Sequence, residues 1–519
     1  MKKIITLLLC AVLLLGLFAG CSGSGEGESG GDKIATFSVG YAKAGITPRD
    51  SVPLRGYGDA MQRFSTGNLE PLYATCVAFA DAEGTKMLFI THDLTNSADN
   101  IFVDLRKQIS EETGIPVSHI LVSASHSHSS PDYSQAVPTI ATYIADVKSS
   151  ILQGAKDALA DLSPATMRTG YERVDKANTT RHYLLADGSY QGKSVGTVPK
   201  DQLIGHHSKV DNLLQVVEFA REDKKDVVLV NWCGHPMGVG DDLYTLCGPN
   251  YPGILRQELE AKYDVEVAFV LSGSGNVNNG SQIAGDVEQK SYVELGERLA
   301  SVVGGLLEGN MTAGKVDKIH LEENLYMAMG KSGYEIEIPL YAFSVGDWAC
   351  VTAPFEIFDT NVMAVRDASK YKMTFYASCA NISLGYLPTP ASYDWAITYE
   401  AGITKFPKGT AEMVQDQLIQ MLDRIFTASG NEVLDKGEGY NTPEFVPSSD
   451  GTVYMNPAPG DLTKTKQVQN GFYSLILLKG TGFKNMLAID QATAEKVLAC
   501  ENMQLVLNEQ SVIVDVIPQ

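Results

Sequence analysis

Ile120-Leu-Val-Ser-Ala-Ser-His126-Ser-His128-Ser-Ser-Pro131 joins an apolar strand pattern to two histidines that an extended chain, with its side-chain period of two, places on one face. Neutral imidazole is a common metal ligand and a base near neutral pH, so two of them where a strand opens into a loop fit a metal or proton-transfer site. Taken alone, the pair fits hydrogen-bonded surface histidines equally well. Three other segments share the layout. Val227-Val-Leu-Val230 leads into Asn231-Trp-Cys-Gly-His235-Pro236, and Trp348-Ala-Cys-Val-Thr352 leads into Ala353-Pro-Phe-Glu356. Met373-Thr-Phe-Tyr-Ala377 leads into Asn381-Ile-Ser-Leu-Gly385-Tyr386-Leu-Pro-Thr389. Active sites of α/β proteins gather outside the carboxyl ends of strands, so the four loops are expected to converge.

At these residues the chain resembles the neutral/alkaline, non-lysosomal ceramidase family, zinc amidases that cleave the N-acyl bond of ceramide. Ser125-His126-Ser127-His128-Ser129-Ser130-Pro131 is similar to the family's Thr-His-Thr-His-Ser-Gly-Pro, and Asn231, Trp232 and His235 to its second histidine motif. Pro354-Phe355-Glu356-Ile357 matches Pro-Gly-Glu-Phe apart from the glycine, and Asn381 to Thr389 with Tyr399-Glu400-Ala401-Gly402 resembles its tyrosine element. Ala44-Gly45-Ile46-Thr47-Pro48, Leu54-Arg55-Gly56-Tyr57-Gly58 and Glu70-Pro-Leu-Tyr-Ala74 look like its opening. The resemblance runs from Gly40 to Leu422. It implies that His126, His235, Glu356 and Tyr386 hold one zinc ion, that His128 exchanges protons beside the metal, and that Tyr399 lines the pocket. Two imidazoles and a carboxylate are an established zinc set; the phenol of Tyr386 is an unusual ligand, and its bland alternative is a half-buried hydroxyl with a hydrogen-bond partner.

The family's Gly-Asp-Val-Ser-Pro-Asn is here Gly275-Asn276-Val277-Asn278-Asn279-Gly280, with asparagine in place of the aspartate and of the active-site serine. An amide is no nucleophile but donates to an oxyanion, so water activated at zinc would attack, with Asn278 as polariser. Arg181, in Asn178-Thr-Thr-Arg181, is a loose match to a family arginine and reads equally well as a surface arginine. Asp93, in His92-Asp93-Leu94, either assists the site or caps a turn or helix.

Met1-Lys2-Lys3, the apolar run from Ile4 to Ala19, and Ala19-Gly20 before Cys21 read as a lipoprotein export signal over 1–20. Cys21 would carry the lipid, residues 21–32 form a Gly/Ser-rich tether, and the body is expected outside the cell membrane. No other stretch is long and apolar enough to span a bilayer.

The chain has 519 residues, 44% hydrophobic and 20% charged, enough for one large domain and a smaller one. A formal charge of -21 opposes nucleic acid and anionic membrane surfaces as partners. Cys76, Cys233, Cys247, Cys350, Cys379 and Cys500 lack ribbon or scaffold spacing; a Cys233–Cys247 bridge and two buried thiols both remain open. Strand patterns at 86–91 and 265–271 join the four above, and helical patterns cover 100–112, 142–162, 252–263, 287–307 and 410–426. The expected fold is an α/β body with mixed sheets over 33–430, which the resemblance makes a layered αβ sandwich. A small β-rich module over 431–519 includes strand patterns at 473–478 and 511–516. No internal repeat is visible.

Competing signals are weak. Gly27-Glu-Ser-Gly-Gly31 and Gly192-Lys-Ser-Val-Gly196 lack the strand–turn–helix context of a nucleophile elbow, and His-Glu-x-x-His is absent. His206-His207 has no metal-ligand company, and Asn250-Tyr-Pro-Gly253 marks a helix start. The leading expectation is a lipid-anchored, exported zinc amidase acting on a ceramide-like lipid or other N-acyl amide. The alternatives are a binding lipoprotein without catalysis and a zinc hydrolase of another amide or ester. The oligomeric state is not legible.

Overall fold

The computed structural model describes residues 36–441 except 98, 193–198, 239 and 395–397, together with five strands beyond. The export signal, Cys21 and the tether lie outside the described residues.

Strands buried on both faces read as unbroken apolar runs, and the runs of this chain divide residue by residue between two cores. Val227 and Leu229 face one cluster while Val228 and Val230 face another, and Leu121 faces away from Ile120 and Val122 in the same manner. The strands are β1 (Ser38–Gly45), β2 (Tyr73–Ala80), β3 (Lys86–His92), β4 (Ile120–Ala124), β5 (Ser163–Arg173), β6 (Leu213–Arg221), β7 (Asp226–Trp232) and β8 (Val265–Leu271). They form one sheet in the order β8-β7-β6-β5-β1-β2-β3-β4, with β9 (Thr312–Gly314) added on β5. A second sheet holds β10 (Ile319–Met329), β11 (Glu335–Val345), β12 (Trp348–Thr352) and β13 (Met373–Ala377) in that order.

The helices are α1 (Asp99–Thr113), α2 (Pro138–Ala160), α3 (Tyr251–Tyr263), α4 (Tyr292–Gly305), α5 (Asp359–Ala368), α6 (Tyr399–Ile403) and α7 (Thr410–Ser429). Phe79, Phe219, Phe343, Trp348 and Phe375 pack between the two sheets. α1 and α2 cover the outer face of β1–β4, α3 and α4 that of β5–β8, and α5 and α7 that of the second sheet. The result is a four-layer α/β/β/α sandwich with mixed sheets, as expected.

The connectivity repeats three times, which the sequence did not reveal. In β1–β4, β5–β8 and β10–β13, two antiparallel pairings are followed by a helix and a parallel strand, with a further helix after it. The first two repeats join edge to edge where Val39 pairs with Ser163. Each repeat thus ends in two parallel strands whose C-terminal loops lie side by side.

Helix limits shift where caps decide them. α4 begins at 292 rather than 287 because Ser291 Oγ caps it by accepting from Glu294 N, while Glu294 Oε2 accepts from Lys290 N just before the cap. α2 begins earlier than the periodicity suggests, with Pro138 in its first turn. Asn250 caps α3 by accepting from Tyr251 N. Cys76, Cys233, Cys247, Cys350 and Cys379 are buried free thiols, and Cys500 lies outside the described residues. Beyond 441 the strands are Thr452–Pro459, Tyr473–Leu477, Leu487–Asp490, Met503–Leu507 and Ile513–Pro518. Among the described residues no helix is long and apolar enough to cross a membrane.

Candidate metal centre

Beyond β4 the chain turns sharply. Ser125 N donates to His92 O (2.8 Å) and His126 N to Leu94 O (3.0 Å), with His126 held at φ 69°, a strained conformation for a non-glycine residue. His126 Nδ1 donates to the Thr95 carbonyl in the loop after β3. In the second repeat, His235 follows β7, its N–H bonds Val277 O (3.1 Å), and its Nδ1 donates to Ser274 O (2.6 Å) in the loop after β8. A carbonyl only accepts, so both Nδ1 atoms carry hydrogen and both Nε2 atoms turn inward. They face each other at 3.1 Å, and Glu356 Oε2 lies 3.2 Å from His126 Nε2 and 3.3 Å from His235 Nε2.

His128 Nε2 is 3.2 Å from His126 Nε2, and the three histidines place a nitrogen each within 4.8 Å of one another. His128 differs from the other two in that its Nδ1 is buried without a hydrogen-bond partner. Its loop is fixed from outside instead. Arg63, which sequence reasoning missed, donates to the His128 and Arg55 carbonyls at 2.8 Å each and lies over the rings of Tyr57 and Tyr244. Gly56, at φ 115°, passes so close that a Cβ there would lie 2.5 Å from His128 Cβ.

Charge in the cluster is unevenly held. Burial opposes a charged His126, yet Glu356 and Cys379 outweigh it and raise its pKa to about 10. Burial lowers His235 to about 4 and pushes His128 well below its usual value. Burial likewise opposes an ionised Glu356, but His126 and His235 hold it well below the usual carboxylate range. The set stabilises one positive charge beside one carboxylate, and inward nitrogens with their other N–H groups already used suit a metal ion in that place.

The third repeat supplies oxygens. Glu356 N donates to Gly385 O (3.0 Å), and Glu356 pairs in register with Tyr386 in a two-residue parallel ladder. The Tyr386 ring lies 5.7 Å from that of Tyr399 and 5.4 Å from the Arg181 guanidinium, and its hydroxyl borders Arg181 and Glu356. Arg181 is buried, not on the surface. It donates to Glu400 Oε1 (2.6 Å), while His182 Nε2 bonds Glu400 Oε2 (3.2 Å). Glu400, buried at the start of α6, is a site residue that its sequence context does not announce, because its partners are more than two hundred residues away in sequence.

The asparagine loop divides in two. Asn276 Nδ2 donates to Asp359 Oδ1 (2.8 Å) and Asn276 Oδ1 accepts from Asp359 N (3.0 Å). Burial raises the Asp359 pKa to about 6, so an amide at 276 avoids setting a second carboxylate against it. Gly275 packs on the Glu356 carbonyl, where a Cβ would come within 2.4 Å. Asn278 pairs with Thr179 and lines a cavity on the His235 side. Asp93 points elsewhere, toward Arg256 of α3 (2.6 Å) and Tyr73 N (2.8 Å). His206 pairs with Asp286 (2.8 Å). The four loops therefore meet, bringing His126, His128, His235, Glu356 and Tyr386 together, with Arg181 and Tyr399 around Tyr386.

No family model matches the sequence, and no curated protein matches it. Among solved structures, a ceramidase complexed with C2 superposes with a TM-score of 0.61 at 14% identity, covering 78% of this chain and 77% of that one. Neutral ceramidase from Pseudomonas aeruginosa superposes with a TM-score of 0.61 at 15% identity, covering 78% of this chain and 76% of the other. This chain adopts the neutral ceramidase-like fold.

Proposed function

We propose that the protein is a zinc-dependent hydrolase of N-acyl amides, with a ceramide-like amphiphile as first substrate. The observation that carries this is the inward pair of His126 and His235 Nε2 atoms with Glu356 Oε2 at 3.2 and 3.3 Å. Two imidazoles, a carboxylate and the nearby Tyr386 phenol form a donor set suited to Zn²⁺, which supplies a Lewis acid and lowers the pKa of water to about 7. His128 is the proton carrier: its Nδ1 has no structural partner, whereas the two ligand histidines have theirs fixed by carbonyls. It takes a proton at Nε2, the nitrogen that faces the cluster 3.2 Å from His126 Nε2, and returns it to the leaving amine. Arg181, clamped by Glu400, fixes the Tyr386 phenol, and Tyr399 borders the substrate. The N-terminal sequence supports an exported protein anchored through lipid on Cys21 at the outer face of the cell membrane.

The test follows fatty-acid release from labelled ceramide by the purified chain, with chelator and with zinc restored. Release lost to chelator and recovered with zinc is expected. A folded, zinc-loaded sample that releases nothing from ceramide or simpler N-acyl amides would overturn the reading in favour of a binding role.

A further inference from the structure

His126 and His235 are each turned by a carbonyl at Nδ1, but the His128 ring has no such bond among the described residues. Its backbone is tied: His128 N donates to Pro236 O (2.9 Å), and its carbonyl accepts from Arg63 (2.8 Å). Neither bond selects a rotamer of the imidazole, so packing must. The rings that meet it are those of His126 and His235, at 4.9 and 5.1 Å, and that of Tyr57, at 5.5 Å with the planes 76° apart. An edge-to-face contact of this kind is directional.

Tyr57 is half-buried and held from several sides. Its hydroxyl accepts from Gly238 N (2.6 Å) in the loop that carries His235, and its carbonyl accepts from the Tyr244 hydroxyl (3.2 Å). The Arg63 guanidinium lies 4.8 Å from its ring centroid, and the Tyr244 ring packs at 5.7 Å. A ring fixed at its hydroxyl, its backbone and its face makes a rigid wall for the imidazole.

We propose that Tyr57 is the positioning residue of His128: its ring, braced through Gly238 on the His235 loop, keeps the imidazole in the rotamer that turns Nε2 toward the cluster. The assignment rests on the amidase reading. In that reaction water adds to the carbonyl carbon and gives a proton to His128 Nε2. The C–N bond then breaks and the same proton passes to the leaving nitrogen, yielding a carboxylic acid and an amine. An aryl ester of the same acid needs only the first transfer, because a phenolate leaves without a proton.

The test presents one acyl chain as an alkylamide and as a p-nitrophenyl ester to the zinc-loaded full chain, as wild type, Tyr57→Phe and Tyr57→Leu. Tyr57→Leu should lower kcat on the amide at least about tenfold, with KM and zinc content near wild type, and lower kcat on the ester clearly less. Tyr57→Phe keeps the ring and loses only the hydroxyl brace, so it should recover most of the amide rate. If Tyr57→Leu does not fold, the same ordering of amide and ester losses is read from Tyr57→Phe. Equal losses on the two substrates, or a loss of zinc, overturn the positioning role and leave the amidase standing. A folded, zinc-loaded wild type that cleaves neither substrate overturns the amidase reading, and the proposal with it.

Discussion

The first and second repeats hold an inward histidine in opposite ways. In the first, the loop after the last parallel strand β4 carries His126 and the loop after β3 supplies the Thr95 carbonyl that orients it. In the second, the loop after β7 carries His235 and the loop after the last strand β8 supplies the Ser274 carbonyl. The paired C-terminal ends of two parallel strands thus act as a clamp in which either loop carries the donor and the other sets its tautomer. The third repeat uses both loops as carriers, Glu356 after β12 and Tyr386 after β13, and orients the phenol with a buried charged group from elsewhere. Every donor comes from a loop beyond one of the paired parallel strands, while which loop carries it changes from the first repeat to the second, and its identity changes only in the third.

If the clamps are equivalent, His126→Ala and His235→Ala should fail alike. Each should lower metal affinity and turnover by more than the roughly 100-fold typical of losing a supporting contact. His128→Gln, with no clamp, should keep the metal and lose turnover. Zinc content and initial rates, measured on the same samples, check both; a His128 variant that loses zinc would make it a ligand and end the distinction.

The support of the third repeat can be removed separately. Burial alone would raise the Glu400 pKa, but Arg181 and His182 hold it at about 2. Glu400→Gln leaves Arg181 buried without its anion, and should cost about 3–5 kcal/mol in denaturant unfolding. The same pair gives the wild type a pH signature. A carboxylate depressed in the folded state contributes its stability above its unfolded pKa, near 4.3, and loses it as pH falls toward about 2. Wild-type stability should therefore decline over that window, and the Glu400→Gln curve should be flatter there.

The sequence made legible what side chains announce. Unbroken apolar runs such as Val227–Val230 declared strands buried on both faces, and every donor sat in the loop beyond such a run. The threefold repeat stayed hidden because it is a recurrence of pairing directions, which different apolar residues satisfy equally well. The orienting groups of the histidines stayed hidden because they are main-chain carbonyls, which any residue supplies. Arg181 and Glu400 each looked ordinary, since a buried ion pair is visible only when both partners are placed in space. Asp93 sat beside the right strand end and pointed into a different ion pair, which position in sequence does not reveal.

The smallest effect tests whether the two clamps are carbonyls and nothing more. Ser274 Oγ has no hydrogen-bond partner, so Ser274→Ala keeps every contact of His235 and should leave turnover unchanged and stability within about 0.5 kcal/mol. Thr95 differs: its hydroxyl donates to the Ser127 carbonyl (2.9 Å) and meets Ser130 Oγ (2.8 Å), bracing the loop that carries His126 and His128. Thr95→Val retains the carbonyl and removes the brace, leaving Ser130 Oγ and the Ser127 carbonyl bonded only to each other (3.0 Å), and should cost about 0.5–1.5 kcal/mol. Turnover should fall with it, because the braced loop carries His128 while zinc content depends on the carbonyl that valine still supplies. Equal effects of the two substitutions would make the clamps alike in their side chains too, and would return the asymmetry between the repeats to the histidines alone.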